Sequence, residues 1–375
     1  MIKIVVFIYI LMTAGIFGVD FFYYMLDRYG RYHIGQFKNE NEWKQKAINK
    51  AKKWVKREPT VKVSDNNRYL LIDMLTGKYR NRTIQSWQKG ALYLGLMDVD
   101  NALVQSSIKT IIKDGEWICK PTNIDCGLLA YAILKNCDSI KVKPAMDYVV
   151  KLIRMHVAED GMIVYTNDMN SRERYVDTLG LAVPFLFLYA KVYQSKEERN
   201  IAFFQIKEFS KYGLEEKSKL PNHAYDSDTK LPLGNYGWGR GCGWYALGLI
   251  DSYREMESGE EKKWVKNHIQ DIANSYMKFQ RTDGGFGRIL QLRTGYDSSV
   301  TAVLAYFYSC CYELFSDDSY KNVYEKCIEK LRTVTKITGA LDWCQGDTKD
   351  IGVLSQTFSI MPFAQGMMIR SFRKD

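Results

Sequence analysis

Two kinds of apolar segment alternate along the chain. Six are apolar nearly all round and follow a polar or Gly-rich lead-in: residues 86–100, 122–135, 174–192, 237–253, 295–314 and 350–372. Their starts lie roughly 35 to 65 residues apart, at or somewhat beyond the usual span of helical repeats. Such uniform apolarity predicts buried helices. Between them, segments such as residues 40–58, 145–157, 197–213, 261–280 and 321–335 place apolar side chains at three- and four-residue spacing against Lys/Glu-rich faces. That pattern predicts half-exposed helices. A buried helix alternating with a half-exposed one, six times, predicts an all-α (α/α)6 barrel of six inner and six outer helices, one domain over residues 36–375. The stretches 161–166 and 285–290 sit beside Gly or Asp and read as hairpin strands at loop positions. In a double ring, the lead-ins to the inner helices gather at one mouth, so their polar residues are expected to line one cleft.

The N-terminus departs from this pattern. Residues 4–19 are uninterrupted apolar, Asp20 breaks the run, and Phe21, Phe22, Tyr23 and Tyr24 follow. Residues 1–27 are together about long enough to cross a bilayer, which takes roughly 20 residues, and the aromatic cluster suits a headgroup boundary. A cleaved signal peptide is the alternative, with Lys3 as its positive start and Thr13, Ala14 and Gly15 as small residues, although the apolar stretch runs on past any good cleavage site. A helix buried in the fold is a third reading. Arg28, Arg31, Lys38, Lys44 and Lys46 follow the segment and only Lys3 precedes it, so an anchored chain is expected to keep its body on the cytoplasmic side. Signal cleavage predicts a secreted protein instead.

Composition narrows the class without choosing an activity. Apolar residues make up 46% and charged residues 26%, with only 7 Pro, which excludes collagen-like, low-complexity and polytopic membrane chains. The 26 Tyr and 8 Trp, with a net charge of +10, suit a surface for acidic carbohydrate or another polyanion. No DNA- or RNA-binding motif is visible. The eight cysteines form no CxxC pair and the four histidines show no zinc-ligand spacing, so neither a metal nor a cofactor is expected. Residues 284–287, GGFG, lack the strand–helix context of a phosphate loop and read as a turn. Arg172 and Arg174 read as solvated surface.

Candidate chemistry sits in the lead-ins. Asp125 opens the second inner helix and Asp177 the third. Each could be a helix cap. Equivalent positions at one mouth also make them candidates for a carboxylate pair, in which one neighbour raises the other's pKa and leaves an acid beside a base. In the fourth lead-in, Trp238 and Trp244 offer faces to a sugar ring and Arg240 a fork to a carboxylate, with core packing as the alternative. His223 reads as a core or surface histidine or as a polar contact at the mouth. Ser298, Ser299 and Thr301 either cap the fifth inner helix or bind a carboxylate.

Three stretches carry a family resemblance: Val176 to Leu186, Asn222 to Asp226, and the Trp-x-Arg-Gly-x-Gly-Trp string from Trp238 to Trp244. They resemble the unsaturated glucuronyl and rhamnogalacturonyl hydrolases, glycoside hydrolase families 88 and 105, over roughly residues 80–372. The resemblance implies an (α/α)6 enzyme that releases a 4,5-unsaturated uronic acid from the non-reducing end of an acidic oligosaccharide by protonating a vinyl ether and adding water. By motif position it implies Asp177 as proton donor and Asp125 as the second carboxylate, which orients water or tunes Asp177. His223, Trp238, Arg240 and Trp244 would hold the sugar, with Ser298 and Ser299 as looser candidates. Two departures stand out. Cys242 occupies a position where Asn is common, and the anchor-like segment is unusual for this mostly soluble group. Two alternatives stay open: a lyase, epimerase or ordinary hydrolase on acidic polysaccharide, and a catalytically idle, membrane-tethered sugar-binding protein.

Overall fold

The computed structural model describes residues 2–81, 84–292 and 295–372. Met1 of the expected anchor and residues 373–375 of the expected ring lie outside the described residues. The helices run in chain order as α1 (Ile2–Arg31), α2 (Glu40–Lys56), α3 (Leu70–Leu75), α4 (Ser86–Leu96), α5 (Asn101–Ile108), α6 (Cys126–Asn136) and α7 (Ser139–Met155). They continue as α8 (Asp177–Leu181), α9 (Val183–Tyr193), α10 (Lys196–Tyr212), α11 (Gly239–Glu255), α12 (Glu260–Tyr276), α13 (Ser298–Phe315), α14 (Asp318–Thr333) and α15 (Pro362–Arg370).

Helices α4, α6, α8–α9, α11, α13 and α15 touch in that order, and α15 packs back on α4, which closes an inner ring. The apolar run explains the closure: in α13 every residue from Ser298 to Cys311 is buried, so all sides of the helix need neighbours. The third inner helix is split where the sequence suggested one stretch. Pro184, near the start of α9, has no N–H to donate, and the chain breaks at Ala182 between α8 and α9. Helices α2, α5, α7, α10, α12 and α14 pack outside this ring and bury one face each, as Val142, Ala145, Met146, Val149, Val150 and Ile153 do in α7. The short outer helix α5 buries only Val104 and Ile108, too little apolar periodicity to stand out in the sequence.

Strands are short and confined to the lead-ins. They are β1 (Val61–Lys62), β2 (Arg80–Asn81), β3 (Ile112–Lys113), β4 (Glu116–Trp117), β5 (Glu173–Tyr175), β6 (Ala224–Asp226), β7 (Pro232–Leu233), β8 (Cys344–Gln345) and β9 (Phe358–Ser359). The two stretches expected as hairpin strands hold only isolated bridges, Val157 to Ile163, Trp238 to Ile289 and Gly287 to Tyr296. The pairing that shapes the mouth instead joins β5, β6 and β7 in an antiparallel sheet with Tyr175 opposite Ala224. Arg174, expected at the surface, is buried in β5 because its guanidinium pairs with Asp160 at 2.9 Å, whereas Arg172 is exposed.

Helix α1 is not one of the ring helices. It is a 30-residue helix with nothing buried, and an 18-residue stretch of it has mean hydropathy 2.3, long and apolar enough to cross a membrane and equally suited to a signal sequence. It continues past the expected limit at residue 27, and its last residue, Arg31, pairs with the buried Asp342 at 2.7 Å.

Candidate active site

The lead-in loops enclose a cleft of about 260 Å³. Asp177, the first residue of α8, lies on its wall. The β5–β6 register brings in His223, because the Val176 N–H donates to the His223 carbonyl at 3.0 Å. Trp238, Arg240 and Trp244, at the start of α11, complete the central wall.

Glycine spacing makes that wall possible. A Cβ at Gly241 would lie 2.6 Å from Cε3 of Trp238, and one at Gly180 would lie 2.6 Å from Cε3 of Trp244. Both indoles rest on bare backbone, so α11 can bring them to the mouth. Trp244 also meets Trp87 edge-on at 5.6 Å, and His223 lies over Trp238 at 4.3 Å.

Neither lead-in aspartate caps its helix: Asp125 and Val176 hold the cap positions of α6 and α8 with helical backbone angles and no side-chain capping hydrogen bond. Asp177 Oδ2 is buried and has no hydrogen-bond partner among the described residues. Burial pushes Asp177 up to about 7, against the opposing pull of the Arg240 charge. The carboxylate that raises it further is Asp347. Asp125 itself is pushed up to about 6 by burial, with the Cys126 backbone N–H pulling the other way. Tyr165 at the cleft feels both charges.

Burial, and Arg240 nearby, lower His223 to about 4, so it is neutral at pH 7. Its Nδ1 accepts the Gly352 N–H at 3.2 Å, which assigns the proton to Nε2. Nε2 lies 3.8 Å from Asp177 Oδ2, too far for a hydrogen bond and not an ion pair with a neutral ring. Trp238 Nε1 is a second buried polar atom without a partner among the described residues. Such groups cost about 1–3 kcal/mol each until something pairs with them.

Arg240 is 3% exposed, and its fork is already used. It donates to the carbonyls of Gln345 (2.7 Å) and Gly346 (2.9 Å) and pairs with Asp347 at 3.7 Å, which ties the loop before α15 to the cleft and leaves Arg240 no free fork for a ligand. Ser298 and Ser299 are not brought to the cleft. Both are fully buried; Ser299 is held by Asp297, which caps α13, and Ser298 bonds the Tyr296 hydroxyl at 3.1 Å. Thr301 bonds the Asp297 carbonyl at 2.8 Å. Cys242 is fully buried beside Tyr276, so its side chain does not form part of the cleft surface.

Several lining residues were not singled out from the sequence. Trp87, Tyr165 and Tyr175 add aromatic wall, and Asp347, Thr348 and Lys349 come from the loop that Arg240 holds. Trp87 had a signal, a Trp in the first lead-in, whereas the loop residues are ordinary polar types that only the fold brings together.

The sequence profile described as Glycosyl Hydrolase Family 88 matches residues 47–369. The chain belongs to glycosyl hydrolase family 88. As a family 88 protein it is a glycoside hydrolase, and carbohydrate is its substrate class. Its (α/α)6 barrel is shared with solved structures of low sequence identity. One is a possible member of family 105 from Salmonella enterica serovar Paratyphi A, 16% identical over 90% of this chain and 94% of that one, with a TM-score of 0.73. An unsaturated glucuronyl hydrolase specific for heparin is 16% identical over 89% and 96%, with a TM-score of 0.67. The unsaturated glucuronyl hydrolase of Bacillus sp. GL1, responsible for glycosaminoglycan degradation, is 13% identical over 89% and 96%, with a TM-score of 0.66. Family membership and fold therefore agree over nearly the whole ring.

Proposed function

We propose that this family 88 hydrolase removes a 4,5-unsaturated uronic acid from the non-reducing end of an acidic oligosaccharide, with Asp177 as proton donor. The observation that carries the reading is the state of Asp177: a buried, unpartnered carboxyl oxygen in an aromatic cleft, with its pKa raised to about 7. An enol ether needs a proton donor, and an ordinary aspartic acid, with a pKa near about 3.9, is ionised at neutral pH. Asp177, raised to about 7, keeps its proton well above the range of an ordinary aspartic acid.

In this reading Asp177 gives its proton to C4 of the C4=C5 bond. The π electrons form the new C–H bond, and the positive charge at C5 is shared with the ring oxygen. Water adds at C5 and loses a proton to a carboxylate. We assign that role to Asp125, which is mostly ionised at pH 7 and whose charge acts on the cleft residue Tyr165. The hemiketal at C5 then opens, and the hemiacetal left at C1 releases the second sugar. His223, neutral with its proton on Nε2, donates toward the bound sugar or water beside Asp177. Trp244 and Trp87 supply aromatic wall, Trp238 offers its unpaired indole N–H, and the Arg240 charge, shared with Asp347, favours an acidic substrate. The test is the ultraviolet absorbance of an unsaturated uronyl disaccharide. The band disappears as the double bond is hydrated; if it persists while a saturated glycoside is cut, the enol-ether chemistry is refuted.

A further inference from the structure

The segment between α2 and α4 leads into an inner helix, so it lies on the cleft side of the ring, and α3 within it packs on α1. The contact is built around a charge. Asp20 interrupts the apolar run of α1, and its two carboxylate oxygens accept the backbone N–H groups of Tyr69 (2.7 Å) and Leu70 (2.9 Å) at the start of α3. Phe17 meets the Tyr69 ring at 6.5 Å, and Tyr23 meets Tyr79 at 5.6 Å. Further along, Arg31 holds Asp342 at 2.7 Å and the Phe358 carbonyl at 2.9 Å, both in the stretch leading to α15. The C-terminal half of α1 is thus fastened to the cleft side at two points, while Ile2–Met12 is exposed throughout.

Helix α3 turns apolar side chains outward beside the Phe17–Tyr23 stretch of α1: Tyr69 is 53% exposed, Ile72 47% and Leu75 79%. Arg68, Lys78 and Arg80 are exposed around them. We propose that Tyr69, Ile72 and Leu75 form a second membrane contact beside α1, which seats the cleft side of the ring on an anionic phospholipid surface. Residues 2–19 at 1.5 Å per residue span about 27 Å, close to the hydrocarbon thickness of about 30 Å. Asp20 then falls at the headgroup boundary, where a carboxylate paired with backbone N–H groups is tolerated. Its hydrogen bonds fix α3 at the same depth, so the exposed apolar face meets the interface and the cations around it meet anionic headgroups. Continuity with α1 and the sign of the surrounding charge select lipid over a protein partner.

The test uses the full chain in vesicles of equal parts phosphatidylglycerol and phosphatidylcholine carrying a nitroxide lipid. Cys119→Ser and Cys137→Ser remove the two cysteines that are not buried. A polarity-sensitive dye is then placed singly through Ile8→Cys in α1, Leu75→Cys in α3, or Ile140→Cys, which is 82% exposed at the start of α7 on the far side of the ring. Quenching of about twofold or more is expected at positions 8 and 75 and none at 140. Quenching at 8 without quenching at 75 overturns the proposal, as does a dye at 75 that is shielded but not quenched, the signature of a second protein surface. No quenching at 8 overturns it through α1 itself. Equal quenching at 75 in pure phosphatidylcholine refutes the anionic preference.

Discussion

Asp177→Asn is expected to uncouple chemistry from stability. Asparagine keeps the size of the side chain against Trp244 and His223 but has no proton to give at C4. A positioned general acid typically contributes 10²–10⁴-fold, so kcat should fall by about that factor while KM changes little. Stability should move the other way. Below about pH 4 the wild-type carboxyl is protonated in both folded and unfolded chains and contributes no pH dependence. Between about 4 and about 7 only the folded chain holds the proton, because burial raises the folded pKa to about 7. Wild-type stability therefore falls as pH rises through this window and levels off above it. A rise of about three pKa units is worth about 4 kcal/mol at most; the Asp177 side chain is 15% exposed, so water softens this to about 2–4 kcal/mol. The variant has no such slope. Its denaturation midpoint, compared with wild type at pH 4 and at pH 8, should shift in its favour by that amount. A stability difference that stays flat across this range would refute the buried-acid argument, and near-full turnover of an unsaturated disaccharide would refute the assignment of Asp177.

Three further outcomes follow from the same geometry. The rate should be bell-shaped in pH, because Asp125 must be ionised above about 6 and Asp177 protonated below about 7; Asp125→Asn should flatten the acid limb of kcat and leave the alkaline limb in place. Gly180→Ala places a methyl 2.6 Å from the Trp244 ring, so a stability loss of about 1–3 kcal/mol and a raised KM are expected, measured by thermal unfolding and steady-state kinetics. Cys242→Ala should lower stability by about 1 kcal/mol and leave both kcat and KM within about twofold, because Cys242 is sealed beside Tyr276; a changed KM would place that position in the specificity pocket after all.

The double ring was legible because inner helices need apolar residues on every side and outer helices on one, and both patterns are written in local spacing. The run from Ser298 to Cys311 is one such helix, and α5 escaped notice because two buried residues make no period. The Trp238–Trp244 string was legible for a related reason, since alternating glycines signal close backbone approach at whichever site they occupy.

The tertiary structure decided the environment of each charge. The sequence alone left Asp125 and Asp177 as caps or as a coupled pair; in the fold neither makes a capping hydrogen bond, burial raises each one, and Asp347 from a distant loop adds to Asp177. Arg240 stood in the sequence as a free fork, and only the folded chain shows its donors on the carbonyls of Gln345 and Gly346. Ser298 and Ser299 looked polar enough for a cleft and lie instead under the Asp297 cap. Helical periodicity is local and survives in one dimension. Desolvation, like-charge proximity and the use of a hydrogen bond depend on residues tens to hundreds of positions away, and those neighbours exist only once the ring has closed.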